Sequence, residues 1–154
     1  MQKFMAFLLL LSTIFLGFFY EYNDSRLLDK MNPGMEQSQI TNDKLSIEIE
    51  NEIQTITGKF TIKIVNHTGK FYKFCGEPDI EVLTKDGWYD VAKSSILNVG
   101  EIKGSVGGNE TVTVTAKGIN MYNIKSGYTY RLIMQFDDTL GETVIAEARF
   151  EVKK

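Results

Sequence analysis

From Lys44 onward apolar and polar residues take turns, the period-two pattern of strands with one buried face. Leu45, Ile47 and Ile49 alternate with Ser46, Glu48 and Glu50, and Phe60, Ile62 and Ile64 alternate with Thr61 and Lys63. Ile80 and Val82 bracket Glu81. Lys85-Asp86-Gly87 then signals a hairpin, with Gly87 supplying the positive φ such turns need, and Trp88, Tyr89 and Val91 return the chain. Val112 and Val114 alternate with Thr111, Thr113 and Thr115. Tyr128, Tyr130, Leu132, Met134 and Phe136 share one face of a long strand, with Thr129, Arg131 and Gln135 on the other. After a polar turn from Asp137 to Glu142, Val144, Ala146, Ala148, Phe150 and Val152 point one way and Glu147, Arg149 and Glu151 the other. The pattern predicts about seven antiparallel strands in residues 44–154, the last two a long hairpin, with Leu132 and Phe150 in the core. Such strands bury their apolar faces as two packed sheets; a closed barrel is the alternative. No segment after 44 holds a 3.6 period over three turns, and at most 118–123 makes a helical turn.

Upstream the pattern differs. Phe4 to Tyr20 is a run of 17 uncharged residues after Lys3, polar only at Ser12 and Thr13. As a helix it spans roughly 25 Å, the short end for a bilayer core. Residues 1–20 therefore read as an N-terminal hydrophobic helix, either a signal-anchor or a cleaved signal peptide. Near its end the one small residue is Gly17, followed by bulky Phe18, Phe19 and Tyr20, which favours retention. Lys3 before the run and Glu21 and Asp24 after it place the N-terminus inside. The expectation is a single-pass protein anchored in the cell membrane through residues 4–20, its domain outside, or a secreted one if the segment is cut. Residues 21–43 lack a sustained period, contain Asn32-Pro33-Gly34, and read as a stem.

Composition narrows the function classes. The chain has 154 residues, room for one domain and an appendage, and its 43% apolar content is that of a globular protein. The net charge of −3 and scattered Lys and Arg argue against nucleic acid, which calls for a basic face. One cysteine, Cys75, excludes an intrachain disulfide. Without disulfides, an exported chain points to a bacterium that does not depend on them.

Several segments carry a family resemblance. Cys75-Gly76-Glu77-Pro78-Asp79-Ile80-Glu81-Val82-Leu83, then Lys85-Asp86-Gly87-Trp88-Tyr89-Asp90-Val91, resembles the central hairpin of a bacterial immunoglobulin-like domain found in anchored surface proteins and lipoproteins of Gram-positive bacteria. Gly108-Asn109-Glu110 resembles that family's turn before its next strand, and Ile124-Lys125-Ser126-Gly127-Tyr128-Thr129-Tyr130-Arg131-Leu132 resembles its Leu-Lys-Pro-Gly-x-Tyr-Arg segment. Ser126 stands in place of the usual Pro, Gly107-Gly108 in place of Pro-Gly, and the lipoprotein Cys is missing. The resemblance covers about residues 44–152. It implies an immunoglobulin-like sandwich with no catalytic site. In such sandwiches Trp88 sits where a large aromatic is buried, and Tyr130 where a hydroxyl bonds the neighbouring loop backbone.

Candidate chemistry is sparse. His67, the one histidine, lies in a turn composition, Asn66-His67-Thr68-Gly69, and reads as a turn residue rather than a catalyst. Cys75 reads as a small, part-buried residue at a strand edge. Asp137, Asp138 and Glu142 lack a calcium-loop pattern and read as a solvated turn. The sequons at Asn23, Asn66 and Asn109 carry no function in a bacterium. Residues 100–108, GEIKGSVGG, read as a mobile connection of the sort that carries binding surfaces at a sandwich end. Val65, Leu83, Ile133 and Ile145 fall on otherwise polar faces and form a candidate contact patch. The expectation is a non-catalytic module contacting a protein or cell-wall partner, with no cofactor, metal, nucleic acid or small-molecule substrate. The alternative is an inhibitor or accessory subunit of a secreted or membrane enzyme.

Overall fold

The computed structural model describes residues 32–36, 40, 42–50, 59–91, 101–117, 122 and 124–152. The expected hydrophobic helix over 1–20, most of the stem, and the expected turn at 118–123 apart from Tyr122 lie outside them. Among the described residues no helix is long and apolar enough to cross a membrane. The described strands are β1 (Leu45–Ile49), β2 (Lys59–Asn66), β3 (Tyr72–Gly76), β4 (Asp79–Thr84), β5 (Gly87–Asp90), β6 (Ile102–Val106), β7 (Thr111–Lys117), β8 (Thr129–Asp138) and β9 (Thr143–Glu151).

All pair antiparallel, in two sheets. One has the order β1-β2-β7; the other is built around β8. β9 lines one edge of β8 from Thr129 to Asp137, while β4 and β3 share the other edge, at Tyr130–Ile133 and at Asp137–Asp138. β5 extends β4, and β6 extends β3. In immunoglobulin lettering this is A-B-E facing G-F-C-C′, with β3 and β4 together making C. The expectation of an all-β, immunoglobulin-like antiparallel sandwich agrees with this arrangement.

Between β3 and β4, Phe74–Pro78 opposes the shorter stretch Met134–Phe136. The surplus residues form a bulge that contains Gly76 at φ +146° and turns β3 away from β8 towards β6.

The core follows from the alternation. Leu45, Ile47, Phe60, Ile62 and Ile64 of one sheet meet Tyr72, Phe74, Ile80, Leu132, Met134, Phe136, Val144 and Ala146 of the other, all buried. Each fully buried aliphatic side chain contributes about 1.5–3 kcal/mol. Phe74 and Phe136 meet edge to face with centroids 5.5 Å apart, and Tyr130 stacks on the half-buried Phe150 at 5.5 Å.

Three expectations need correction. Nine strands are described rather than about seven. The two additional ones are β3, whose Tyr72 and Phe74 point inward, and β6, which occupies the stretch expected to be a mobile connection. Gly104 in β6 lies against the Phe74 ring: a Cβ there would stand 2.7 Å from Phe74 Cζ. That glycine serves close packing, not mobility. Second, β8 does not alternate. Tyr130 to Met134 are buried without interruption, because the outer face of this central strand is covered as well. Third, the compact unit begins at Pro33, well before Lys44. Gly34 N–H donates to Trp88 C=O at 2.7 Å, Pro33 pairs with Tyr89, and Ile40 is buried, so this end of the presumed stem is packed on the domain.

Candidate contact surface at the loop end

Two charged networks organise the surface. The first lies on the outer face of the β8 sheet. Cross-strand register puts Glu81, Arg131 and Arg149 side by side. Arg131 is 0% exposed. Its Nε donates to Glu81 Oε2 at 2.8 Å, Nη2 stands 2.6 Å from the same oxygen, and Nη1 donates to Glu147 Oε2 at 2.9 Å. Nη2 also donates to Met35 C=O, and Met35 N–H returns a 2.7 Å bond to Glu81 Oε1. Segment Pro33–Glu36 therefore straps a buried ion pair with its own backbone. Gly34 is needed there, since a Cβ would overlap the Glu81 carboxylate. The Arg131 guanidinium also lies 4.4 Å from the centroid of the Trp88 ring. An acidic cleft of about 460 Å³ opens beside the strap, lined by Met35, Asp79, Glu81, Asp90 and Tyr122 among others. Burial, then the Glu81 and Asp79 charges, push the Asp90 carboxyl up.

The second network ties three turns together at one end of the sandwich. Asn66 closes β2 and is buried. Its Nδ2 donates to Lys70 C=O at 2.7 Å and Gly107 C=O at 2.8 Å, while its Oδ1 accepts from Thr68 N–H and Oγ1, each at 2.9 Å. One side chain thus joins the β2–β3 and β6–β7 turns. The turns touch so closely that a Cβ on Gly108 would overlap the Gly69 carbonyl. Lys70 then bridges to the β8–β9 turn, 3.0 Å from Asp138 Oδ2 and 2.7 Å from Glu142 Oε2. Lys44 pairs with Glu142 from the start of β1. Asp138 Oδ1 accepts from Leu140 and Glu142 N–H, both at 2.8 Å. Backbone hydrogen bonds and Lys70 hold the Asp138 carboxyl below its ordinary value; Lys44 and Lys70 do the same for Glu142. The bonds to Glu142 and Asp138 raise Lys70 well above the ordinary lysine value.

This end carries two of the exposed large apolar side chains among the described residues: Leu140, 85% exposed, and Phe71, 42% exposed. Leu140 sits on a turn fixed from inside by Asp138, and Phe71 follows Lys70 directly. Fixing a loop before binding removes an ordering cost that association would otherwise bear. Leu140 and Phe71 thus stand exposed on turns that are already fixed.

The sequence-predicted residues fall as follows. Tyr130 Oη donates to Lys125 C=O at 2.9 Å and accepts from Lys125 N–H at 2.8 Å, the geometry of a tyrosine corner. Gly87 has φ +126° at the end of the β4–β5 turn. Leu132 is fully buried. Trp88 is half-buried, on the outer face opposite Leu83 and not between the sheets, because β5 turns Trp88 and Asp90 outward under the arginines. Of the expected patch, Leu83 is 42% exposed and Val65 and Ile145 are half-buried. Ile133 departs from the expectation: it is 3% exposed, at the floor of the notch left by the β3–β4 bulge. Val65 belongs to the β1-β2-β7 sheet and the others to the second, so the four do not form one patch. Cys75 is exposed, not part-buried, since alternation along β3 spends its inward positions on Tyr72 and Phe74. His67 Nε2 lies 2.9 Å from Ser46 Oγ at the exposed surface, and no carboxylate orients the ring among the described residues. Among those residues no group of three or more His, Cys, Asp or Glu side chains could hold a metal ion. The acidic turn is lysine-paired rather than merely solvated. Sequence reading missed Arg131, Asn66 and Leu140. A charged residue within a run of apolar neighbours was the available signal for the first.

No family model matches the chain, and no curated protein does. Among solved structures it is similar to the archaellum periplasmic stator protein complex FlaF and FlaG from Sulfolobus acidocaldarius, at 15% identity and TM-score 0.37, covering 75% of this chain and 97% of that one. It is also similar to the sporulation control protein Spo0M of Bacillus subtilis, at 10% identity and TM-score 0.40, covering 72% and 49%. A PapD-like domain of human CEP192 gives 12% identity and TM-score 0.38, covering 79% and 99%. Values this low assign no function.

Proposed function

We propose that this chain is a non-catalytic immunoglobulin-like module, anchored outside the cell membrane through residues 4–20, that binds a protein or cell-wall partner through its loop end. The observation that carries the reading is Leu140, an 85% exposed apolar side chain on a turn that Asp138 and Lys70 hold in place. Lys44, Lys70, Asp138 and Glu142 of that end are engaged in bracing it. The mechanism is surface complementarity: Leu140 and Phe71 lose water against an apolar partner surface while the turns beneath stay fixed. Each such side chain, fully covered, contributes about 1.5–3 kcal/mol. The membership in a Gram-positive surface family suggested by the Gly-Glu and Asp-Gly-Trp segments belongs to the same proposal.

The test places a photo-crosslinking amino acid at position 140 of the full chain and irradiates intact cells. A discrete adduct that disappears on Phe71→Ser is the expected result. Absence of any adduct at 140, with adducts arising from positions on the sheet faces, overturns the loop end as the contact surface. A protruding leucine on a rigid hairpin also suits the second reading, an inhibitor that fills an enzyme's cleft. That reading requires the adduct to be an enzyme whose activity changes on release.

A further inference from the structure

Among the described residues β7 is an edge without the usual protection. Among the described residues it pairs with β2 and with no other strand. Its inward residues Val112 and Val114 are half-buried, whereas Ile64 and Ile62, directly across in β2, are 0% exposed. No described strand therefore covers the outer edge of β7. Natural proteins guard open edges with proline, bulges, inward charges or short length. Thr111-Val112-Thr113-Val114-Thr115-Ala116-Lys117 is seven residues long, without proline or an inward charge, and its bridging to β2 is continuous.

The occupant is indicated by the strand itself. Its ends carry opposite charges, Glu110 just before it and Lys117 at its close. A parallel copy would set like charges together. An antiparallel copy brings each Lys117 within one residue of the other chain's Glu110. A two-fold axis at Val114 then pairs Val114 with itself, Thr113 with Thr115, Val112 with Ala116 and Thr111 with Lys117. The outward threonines form a cross-strand ladder of compatible pairs, and the half-buried valines close over each other. We infer that β7 is a homodimer edge, joining β1-β2-β7 of two copies into one continuous six-stranded antiparallel sheet. The inference is independent of the loop-end reading, since β7 lies on the other sheet from the β8–β9 turn.

The test uses the full chain in detergent, in a Cys75→Ser background so that the exposed native thiol does not react. Thr113→Cys and Thr115→Cys chains, differently tagged, are mixed and oxidised. Formation of the 113–115 heterodimer at least about tenfold faster than either homodimer is the expected result, as the register pairs those positions. Separately, Thr113→Lys/Thr115→Lys places four like charges face to face and weakens self-association by at least roughly tenfold in sedimentation velocity, with the circular dichroism unchanged. A wild-type chain that is monomeric at every accessible concentration overturns the inference. So does a dimer indifferent to the lysine pair, or one that crosslinks 113 to 113 as readily as 113 to 115.

Discussion

Arg131 is the residue on which most of the outer sheet face depends. A guanidinium fully out of water is tolerable only while its donors are met, and here Glu81, Glu147 and Met35 C=O meet them under the Trp88 ring. Arg131→Met strands the Glu81 carboxylate in the same place, and breaking one half of a buried pair costs about 3–5 kcal/mol. The Arg131→Met/Glu81→Leu double variant should recover part of that loss, because matched apolar replacement of a buried pair is often neutral, while Met35 N–H and C=O lose their charged partners. Urea unfolding of wild type, both single variants and the double variant measures the coupling directly. The loop-end charges behave differently with pH. Asp138 and Glu142 have carboxyls held below their ordinary values, so their contribution is complete above the unfolded carboxylate range and is lost as pH falls through the folded values. Lys70 is raised, so its contribution is complete below the ordinary lysine range and is lost only as pH rises through its folded value. Thermal unfolding should thus show a plateau across neutral pH with an acid shoulder below about pH 4. Asp138→Asn should remove much of that shoulder, and an unchanged acid limb in that variant would refute the assignment.

At the scale of elements, what could be read in advance depended on where each strand lies in its sheet. β1, β2 and β9 each have one face to the core and one to water, and their alternation was plain in the residues. β8 is covered on both faces from Tyr130 to Met134, so Arg131 and Ile133, expected outside on period alone, are interior. Nothing local to β8 reveals that Pro33–Met35, nearly a hundred residues earlier, covers that face; such contacts belong to tertiary structure. β6 was hidden for another reason. It buries its two ends, Ile102 and Val106, and its glycine resembles a flexible joint until the Phe74 ring is seen against it. The loop-end site was legible only as a turn composition, because the Asn66 bonds join segments far apart in sequence. Gly104→Val separates propensity from packing. Strand propensity favours valine over glycine, but the new side chain runs into the Phe74 ring, and overpacking costs about 1–3 kcal/mol. The expected outcome is a net loss of stability in urea, partly restored by Phe74→Leu. A gain on the single substitution would show that β6 is as loosely held as its composition suggested.

For the molecule as a whole, the strap decides where the domain has to be cut. The alternation begins at Lys44, and a fragment starting at Ile40 would look complete on that basis. The compact unit instead starts at Pro33, and residues 33–36 supply groups that no strand replaces. Truncation at Ile40 removes the Met35 C=O from Arg131 and the Met35 N–H from Glu81. Hydrogen bonds to charged groups are worth about 1.5–3 kcal/mol each, so the shorter fragment should be less stable by about 3 kcal/mol or more. For a domain of this size that is a fall in Tm of roughly 10 °C. Fragments 33–154 and 40–154, melted side by side by circular dichroism, make the comparison. Trp88 fluorescence supplies a second readout, since the strap bonds its carbonyl and Arg131 faces its ring. If the strap holds as the geometry requires, Gly34→Val in the longer fragment should reproduce the truncation, because its side chain has to displace the Glu81 carboxylate to fit. Equal melting of the two fragments would mean that water satisfies Arg131 as well as the strap does, and the outer face would then be a surface open to a partner rather than a closed one.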